Sequence, residues 1–265
     1  MKYPPLAEII GNRRWQMHRE PFPHVLAANV FAAPFHSSLR QTVQSIKARG
    51  LGEPGEPGKL SRSMTGYDAY GLSLNNETGV LGLFLSQAWH EMLRALFAVE
   101  ATGHVNCGLH LHLPGSANGW IHNDLNPGWF VAGAERDDPV PADPGACSYM
   151  RGTTAMPNLK SVETVRAVAM LYYIDNPPTS VGRGGATGLF ESSRQRIDSP
   201  SAIVPARENS LLAFECTPTS FHAYLGGNET PRTCVILWLH RSREAVINRW
   251  GENSICGWST AQDRR

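Results

Sequence analysis

The feature that most restricts the fold of this chain is a series of short apolar segments that begins at Val105. Turns rich in proline and glycine separate the segments VNCGLHLHLPG, VRAVAMLYYIDNPP, ATGLFES, SAIVPARENSLLAFE and RTCVILWLH. Short apolar runs bounded by turn residues are typical of β-strands. Because helices are predicted upstream and many closely spaced strands follow, the layout is α+β and mainly β. We expect a double-stranded β-helix, the cupin-like jelly roll, buttressed by N-terminal helices.

Two helices are predicted before the strands. The first spans residues 34–48, with Ser37 or Ser38 as its N-cap. Its apolar residues fall on one face and are Leu39, Val43 and Ile46. The second spans residues 79–98, and its apolar stripe consists of Leu81, Leu85, Ala88, Trp89, Met92, Leu96 and Phe97. We expect His90, within this second helix, to be a surface residue or a core residue with satisfied hydrogen bonds rather than a ligand.

The length of the chain favours a single elaborated domain. Its 265 residues are at the upper end of what one hydrophobic core supports, and the composition is even along the chain. We therefore predict one domain over residues 1–265. It would consist of an N-terminal helical support region (1–104), a jelly-roll core (105–243) and a C-terminal tail (244–265), with a lid-like insert at 125–164.

Charge and cysteine content exclude some classes of partner. The chain has 24 basic and 23 acidic side chains, a net charge of +1, and no basic run that would follow a nucleic-acid backbone. Its five cysteines are odd in number and lack CxxC spacing, so we expect reduced thiols. No segment resembles a signal peptide or a membrane span. We expect a cytoplasmic protein with a small-molecule substrate and neither a nucleic-acid nor a membrane partner, while its oligomeric state stays open.

The segment GWIHNDLNPGW contains a candidate pair of metal ligands, His122 and Asp124. In a strand or extended turn, residues two apart project to the same side, which suits two adjacent ligands of one ion. Taken alone, an HxD pair is better explained as the residues of an ordinary turn. The pair therefore indicates a metal site only if further ligands are found elsewhere in the chain.

A second candidate region is ENSLLAFECTPTSFHAYLGGNETPRTCVILWLH, which contains His222 and Arg232. Two imidazoles and one carboxylate on one face form the facial triad of non-haem Fe(II) oxygenases, which leaves coordination positions open. The arginine side chain presents two parallel N–H donors that fit a carboxylate. Because Arg232 begins the strand after His222, it is a candidate anchor for an acidic ligand.

These segments resemble the 2-oxoglutarate-dependent Fe(II) oxygenases, and within them the prolyl-hydroxylase-like branch. The resemblance spans most of the chain, through PFPHVLAANVF, HND, LYYIDN, GGATGLF, NSLLAF, SFHA and PRTCVILWLH in the order of the family. It implies that His122, Asp124 and His222 bind Fe(II) and that Arg232 holds the distal carboxylate of 2-oxoglutarate. Tyr173 falls where the branch often has a tyrosine hydroxyl against that carboxylate, although ordinary strand packing explains it as well.

One position departs from the family. The branch commonly has a tyrosine near the cosubstrate ten residues before the first ligand, whereas this chain has His112. His110 and His112 form an HxH pair on one face of the predicted strand. A cupin-type metal pair would need a glutamate soon afterwards, and none occurs before Asp124. We expect the two histidines to line the pocket as neutral hydrogen-bonding groups or to serve the structure.

The resemblance also implies a reaction. With O2, the enzyme would convert 2-oxoglutarate to succinate and CO2 and hydroxylate an unactivated C–H bond of a small metabolite or amino-acid-like substrate. Because Asp124 occupies the carboxylate position, a halide has no vacant site there, so hydroxylation is favoured over halogenation. Desaturation, ring closure and epoxidation stay open. Alternatives are peptidyl-proline hydroxylation and a cupin-like metal protein with non-redox chemistry.

The insert at 125–164 is rich in proline, glycine and charged residues. Loops of this length in a compact domain are often lids or binding loops. We predict a lid that covers the substrate, with Arg136, Arg151 and Lys160 available for an anionic group. A loose surface loop is the alternative.

Overall fold

The structure is a computed structural model that describes residues 3–64, 66–74, 79–133, 138–177 and 184–258. It is mainly β, with four α-helices and two 3-10 helices among the described residues. The helices are α1 (Leu6–Ile9), α2 (Ala33–Ala48), α3 (Gln87–Phe97) and α4 (Arg243–Trp250), with 3-10 helices at Gly79–Leu85 and Glu252–Ser254. The strands are β1 (Gln16–His18), β2 (His24–Ala28), β3 (Ser61–Arg62), β4 (Tyr70–Ser73), β5 (His104–His112), β6 (Pro127–Val131), β7 (Val140–Pro141), β8 (Ser161–Tyr173), β9 (Thr187–Phe190), β10 (Ala202–Val204), β11 (Ser210–Glu215), β12 (Phe221–Tyr224) and β13 (Arg232–Ser242).

The strands form one large sheet and one small sheet. The large sheet has ten strands, with the antiparallel order β1-β2-β11-β8-β13-β5-β4-β3, while β6 pairs with β8 and β7 runs parallel to β5. The small sheet has the order β10-β9-β12. This arrangement confirms the prediction of a mainly β fold with few helices. The N-terminal region contributes more than helices, because β2 pairs along β11 inside the large sheet.

The two faces of the large sheet have different partners. On β13, Val235 and Leu237 belong to the apolar core that also contains residues of α2 and α3. Cys234 and Trp238, on the opposite face, belong to a second core that includes Leu189 of the small sheet. Because successive strand residues point to opposite faces, β13 is apolar on both sides. The helices therefore pack against one face of the large sheet, and the small sheet packs against the other face.

Helix α2 begins earlier than its predicted cap. Its N-cap is Ala32, with no side-chain hydrogen bond, and a proline occupies the first turn. Proline has the fixed φ that a first helical turn requires, so Pro34 starts the helix without a polar cap. The prediction of Ser37 or Ser38 as the N-cap was wrong. The prediction of a buried face was confirmed, since its three apolar residues are buried: Leu39, Val43 and Ile46.

The predicted helix over 79–98 is divided at Ser86. A 3-10 helix precedes this serine, and its Oγ accepts a hydrogen bond from Trp89 N at 3.3 Å to begin α3. A side-chain cap of this kind satisfies an N–H of the first turn and fixes where a helix begins. His90 is buried at 4% exposure, and within the described residues neither of its ring nitrogens has a hydrogen-bond partner. The expectation of a surface or satisfied histidine was therefore wrong.

The insert (125–164) and the tail (244–265) both contain regular secondary structure. β6 lies within the insert and pairs with β8, while β7 pairs with β5. Arg136 lies outside the described residues; Arg151 and Lys160 are both exposed. The tail forms α4 and then returns along the protein, where Trp258 Nε1 donates to Pro127 O at 3.0 Å. All five cysteines are free. Among the described residues, no helix combines the length and apolar character needed to cross a bilayer.

Candidate metal centre

His122 and His222 are neighbours across an antiparallel backbone bridge. His122 N donates to His222 O at 3.0 Å, and His222 N donates to His122 O at 2.8 Å. Because a directly opposed pair points its side chains the same way, the two rings lie side by side, with centroids 4.3 Å apart. Residues distant in sequence are thus brought together by main-chain pairing between the segment after β5 and strand β12.

Asp124 joins the two histidines by a different route from the one predicted. Its backbone φ is +61°, a left-handed conformation that aspartate tolerates better than most residues. Strand alternation, the basis of the sequence argument, is therefore not what aligns Asp124 with His122. The two side chains nevertheless converge, because a left-handed residue turns the chain back. One potential ligand atom from each of His122, Asp124 and His222 lies within 4.8 Å of the others.

Both imidazoles are fixed so that Nε2 is available as a ligand atom. His122 Nδ1 lies 2.8 Å from Trp120 O, and His222 Nδ1 lies 3.0 Å from Ser220 O. A carbonyl oxygen accepts only, so each Nδ1 carries the proton and each Nε2 presents a lone pair. The Nε2 atoms are each 3.5 Å from a different oxygen of Asp124. Burial, with repulsion from His222, lowers the pKa of His122 to about 4, so this ring is neutral near pH 7.

Asp124 is held from the side opposite the histidines. Its Oδ1 accepts from Nη1 of Arg166, and its Oδ2 accepts from Trp238 Nε1 at 2.7 Å. The carboxylate side chain is 3% exposed and that of Arg166 is 6% exposed. Burial by itself would raise the pKa of Asp124, but Arg166 and the two imidazoles outweigh burial and hold that pKa well below its ordinary value. The carboxylate is therefore ionised, the form that binds a metal.

This donor set fits a ferrous ion. Two imidazoles with their Nε2 atoms turned toward one ionised carboxylate form a facial triad that leaves one side open. The His122 side chain is 30% exposed, and a cleft lined by all three residues lies on that side. The chemistry of the ligands and their access from the cleft are thus those that an Fe(II) oxygenase requires.

Arg232 lies in the same cleft as a buried cation without an acidic partner. It is 5% exposed and begins β13. Its Nη1 is 3.0 Å from Cys234 Sγ and its Nη2 is 3.5 Å from Thr187 Oγ1, while Nε has no hydrogen-bond partner. In the described part of the chain, no carboxylate lies within 4.0 Å of its guanidinium. A buried charge without a counter-charge is unfavourable, so this site is suited to an anionic ligand.

Tyr173 borders the Arg232 guanidinium. Its ring centroid is 5.1 Å from the guanidinium carbon, and its hydroxyl is 2.8 Å from Thr187 Oγ1. Gly185 forms the adjacent backbone, with φ +84°. Glycine adopts this conformation without strain. An arginine, a tyrosine hydroxyl and a threonine hydroxyl therefore face one small volume.

His112 packs beside this anion site without joining the metal ligands. It pairs with Arg232 in the register of β5 and β13 and stacks on Tyr224 with centroids 3.6 Å apart. Its Nδ1 is 3.0 Å from Asp68 O, and its Nε2 is buried without a partner. Burial, and next Arg232, lower its pKa, while the same causes lower the pKa of His110 to about 4. Both rings are neutral, and among the described residues neither belongs to a group of three potential metal ligands.

The sequence analysis did not identify three residues beside these two sites. Arg166 and Trp238 hold Asp124, and Tyr67 packs against His112 at a ring distance of 5.5 Å. A usable signal existed for Arg166, because it is the one charged side chain within the apolar stretch VRAVAMLYY. A charge inside a buried strand needs a partner. Tyr67 lies in a loop, and the loop has no helical or strand pattern from which its position could be predicted.

Comparison with known proteins supports this description at the level of the fold. No protein-family model and no curated protein matches the chain. A prolyl hydroxylase from Trichoplax adhaerens, in complex with a peptide of the hypoxia-inducible-factor oxygen degradation domain, has a TM-score of 0.52 and 12% identity over 85% of this chain and 86% of that chain. A Pseudomonas putida prolyl 4-hydroxylase has a TM-score of 0.48 and 16% identity, covering 82% and 92% of the two chains. The non-haem α-ketoglutarate-dependent carbocyclase SnoK of nogalamycin biosynthesis has a TM-score of 0.47 and 12% identity, covering 82% and 79%. The likeness to the Trichoplax protein confirms that this chain has a prolyl-hydroxylase-like fold.

Proposed function

We propose that this chain is an Fe(II)- and 2-oxoglutarate-dependent oxygenase whose two sheets form a double-stranded β-helix. One observation carries the proposal: a cleft contains both a His2Asp donor set and the buried guanidinium of Arg232, which has no acidic partner among the described residues. A metal triad alone is compatible with many reactions. Here the same cleft also contains a buried guanidinium that can bind an anion. The two sites together fit a cosubstrate that chelates the metal through one end and has a carboxylate at its other end.

Each side chain has a role in this proposal. His122, Asp124 and His222 hold Fe(II), and Arg232 binds the distal carboxylate of 2-oxoglutarate through paired N–H donors. The hydroxyls of Tyr173 or Thr187 donate to the same carboxylate, exchanging their mutual hydrogen bond for one to the ligand. His112, whose Nε2 is buried without a partner, borders this site and is proposed to contact the cosubstrate or a water beside it.

The chemistry comes from the iron with its cosubstrates. When bound, they convert R–H, 2-oxoglutarate and O2 into R–OH, succinate and CO2. The protein's contribution is to position the reactants, to orient the His122 and His222 rings through their Nδ1 hydrogen bonds, and to shield the cleft from water. Desaturation, cyclisation and epoxidation would use the same residues, so the outcome depends on where the substrate presents its C–H bond.

We propose a small metabolite or amino-acid-like molecule as the substrate. The lining of the cleft that holds the metal centre includes charged groups and also several aromatic and neutral polar groups, which suit a compact organic molecule: Tyr67, Asn106, His110, Trp120, Tyr149, Trp238 and Trp258. Peptidyl proline is the alternative, because the Trichoplax protein was solved with a peptide. That the insert acts as a lid, with Arg151 and Lys160 for an anionic group, and that residues 1–265 form a single domain stay predictions.

Succinate formation tests the proposal. The purified protein with Fe(II), ascorbate, O2 and 2-oxoglutarate is expected to release succinate, at a slow basal rate alone and faster with its substrate. His122→Ala and Arg232→Ala should abolish succinate formation, whereas His18→Ala, which removes an exposed histidine, should not. Mass spectrometry of metabolite pools treated with the complete system would reveal the substrate as a species gaining one oxygen atom.

The same assay separates the rival reading of a cupin-like metal protein with non-redox chemistry. Such a protein would retain its activity with Zn(II) or Mn(II) and would need neither a keto acid nor O2. It would also leave Arg232 without a ligand. Turnover that is independent of 2-oxoglutarate, or that survives loss of His122, would contradict the oxygenase proposal.

A further inference from the structure

We propose that Arg166 is a positioning residue whose guanidinium fixes the orientation of the Asp124 carboxylate for metal binding. The inference rests on the proposed function, since it concerns the same metal centre. It goes further by assigning a role to a residue outside the ligand set and outside the cosubstrate site. It also predicts that the shape of the guanidinium, more than its charge, matters for the metal.

The Asp124 carboxylate has no rotational freedom left. Arg166 donates to Oδ1 and Trp238 donates to Oδ2, so a hydrogen bond from outside the triad holds each oxygen. Each oxygen also lies 3.5 Å from the Nε2 atom of one histidine, Oδ1 from that of His122 and Oδ2 from that of His222. Outer hydrogen bonds of this kind orient a ligating carboxylate before the metal arrives.

Arg166 is itself held in an aromatic cage. Its guanidinium carbon lies 3.7 Å from the ring centre of Trp238, 4.9 Å from that of Trp258 and 5.7 Å from that of Tyr149. Its Nε donates to Tyr149 Oη at 3.1 Å, and that hydroxyl also lies 2.8 Å from His240 Nε2. A planar guanidinium fits between flat rings as an ammonium does not. The cage therefore selects an arginine at this position.

The cage is assembled from three parts of the chain. Tyr149 comes from the insert, Trp238 from β13 and Trp258 from the segment after α4. Gly128 of β6 lets the insert approach, because a Cβ at this position would lie 2.6 Å from Tyr149 Cε2 and 2.9 Å from His240 Nε2. The insert and the tail thus act on the metal centre indirectly, through the arginine that they enclose.

Charge and geometry have opposite consequences for metal affinity. The positive charge of Arg166 repels a divalent cation, so a purely electrostatic role predicts that its removal tightens metal binding. The hydrogen bond to Asp124 orients a ligand, so a positioning role predicts that its loss weakens binding. Arg166→Lys separates the two effects, because lysine keeps the charge but loses the planar donor fork and the stacking. Arg166→Gln removes both.

The experiment is a titration of the apoprotein with Co(II), without keto acid or O2, followed by calorimetry and by the visible spectrum of the bound ion. Positioning predicts that Arg166→Lys and Arg166→Gln each weaken Co(II) binding by about 10- to 100-fold and change the spectrum. Trp238→Phe keeps a stacking ring but loses the donor to Oδ2, and it should weaken binding in the same direction. This variant keeps the test open if Arg166→Lys does not fold.

The matched control is Arg241→Lys. Arg241 is also buried, donates to a carboxylate (Glu215 Oε1, 2.9 Å) and lies over an aromatic ring (Trp250, 5.1 Å), but Glu215 is not a candidate ligand. This variant should leave Co(II) affinity and spectrum unchanged.

The outcomes separate the two proposals. Wild-type affinity and spectrum in Arg166→Lys, or tighter binding in Arg166→Gln, would overturn the positioning role while leaving the oxygenase proposal intact. Failure of the wild-type protein to bind Co(II) would overturn both.

Discussion

Replacing Arg232 by methionine should weaken cosubstrate binding strongly while changing the stability of the cosubstrate-free protein little. In the proposed complex this guanidinium pairs with a carboxylate in a buried site. Removing one partner of such a pair is expected to weaken 2-oxoglutarate binding by about 2 to 5 kcal/mol, which is about 30-fold to several thousand-fold in Kd. Arg232→Met fills similar space with an apolar chain, so the loss reports on the charge and the hydrogen bonds.

The free energy of unfolding of the cosubstrate-free protein should change little on this substitution. Arg232 has a buried Nε without a partner, and an unsatisfied buried polar group is unfavourable by about 1 to 3 kcal/mol. Its contacts with the rings of Tyr173 (5.1 Å) and Tyr224 (5.6 Å) each stabilise the folded protein by about 0.5 to 1 kcal/mol, which offsets part or all of that cost. The difference leaves Arg232→Met between about 1 kcal/mol less stable and about 2 kcal/mol more stable than wild type. That corresponds to a rise in Tm of at most roughly 8 °C for a chain of this size.

Two measurements check the prediction. Calorimetric titration of 2-oxoglutarate into the Mn(II)-loaded protein without O2 gives the affinity, and thermal unfolding of the cosubstrate-free protein gives the stability. Arg241→Met is the matched control, because it removes a buried arginine that has a carboxylate partner, and it should lower stability by at least about 1 kcal/mol. If Arg232→Met binds 2-oxoglutarate within about threefold of wild type, or loses more than about 2 kcal/mol of stability, Arg232 is a structural residue and the anion-site reasoning fails.

Three further predictions concern single groups of the site and its surroundings. Tyr173→Phe should weaken 2-oxoglutarate binding by about 1 kcal/mol, roughly fivefold, without changing Co(II) affinity, and an unchanged Kd would assign Tyr173 to strand packing alone. The lowered pKa values of His110 and His112 mean that the folded protein binds fewer protons than the unfolded chain, so stability should fall by several kcal/mol as pH drops from about 6.5 to about 4. A flat Tm over that interval in the metal-free protein would contradict this. Gly128→Ala should lower stability by about 1 to 3 kcal/mol, because its methyl group would overlap Tyr149, whereas Gly133→Ala, whose methyl group meets no described atom within 4 Å, should lower it by less than about 1 kcal/mol.

The sequence predicted the parts of this structure that depend on local pattern. Apolar runs bounded by turns located β5, β8, β9, β10, β11 and β13, and the spacing of Leu39, Val43 and Ile46 located the buried face of α2. The short strands β1, β3, β4, β6 and β7 carry no such run and were not predicted from the pattern. His122, Asp124, His222 and Arg232 were singled out because their residue types match a metal and an acid. Each of these signals is contained in a few neighbouring residues or in the chemistry of one side chain.

The sequence could not predict features that arise only when distant segments meet. Nothing local distinguishes Trp238 from its apolar neighbours in β13, yet its indole N–H faces Asp124 because β13 lies against β8. The left-handed backbone of Asp124 is a property of one φ angle, and aspartate adopts it in a minority of contexts. The long apolar stripe predicted one helix over 79–98, whereas the side-chain cap of Ser86 begins a separate helix at Gln87.

The backbone bridge between His122 and His222 has a consequence for biosynthesis. A nascent chain that has emerged as far as β11 contains one imidazole and the carboxylate, but the second imidazole has not yet left the ribosome. Two ligands on an unpaired segment offer no preformed cage, and such long-range pairing is among the slower steps of folding. In the proposed oxygenase, iron capture therefore waits until β12 has been made and paired, and shorter chains do not carry a redox-active ion while their interior is open to water.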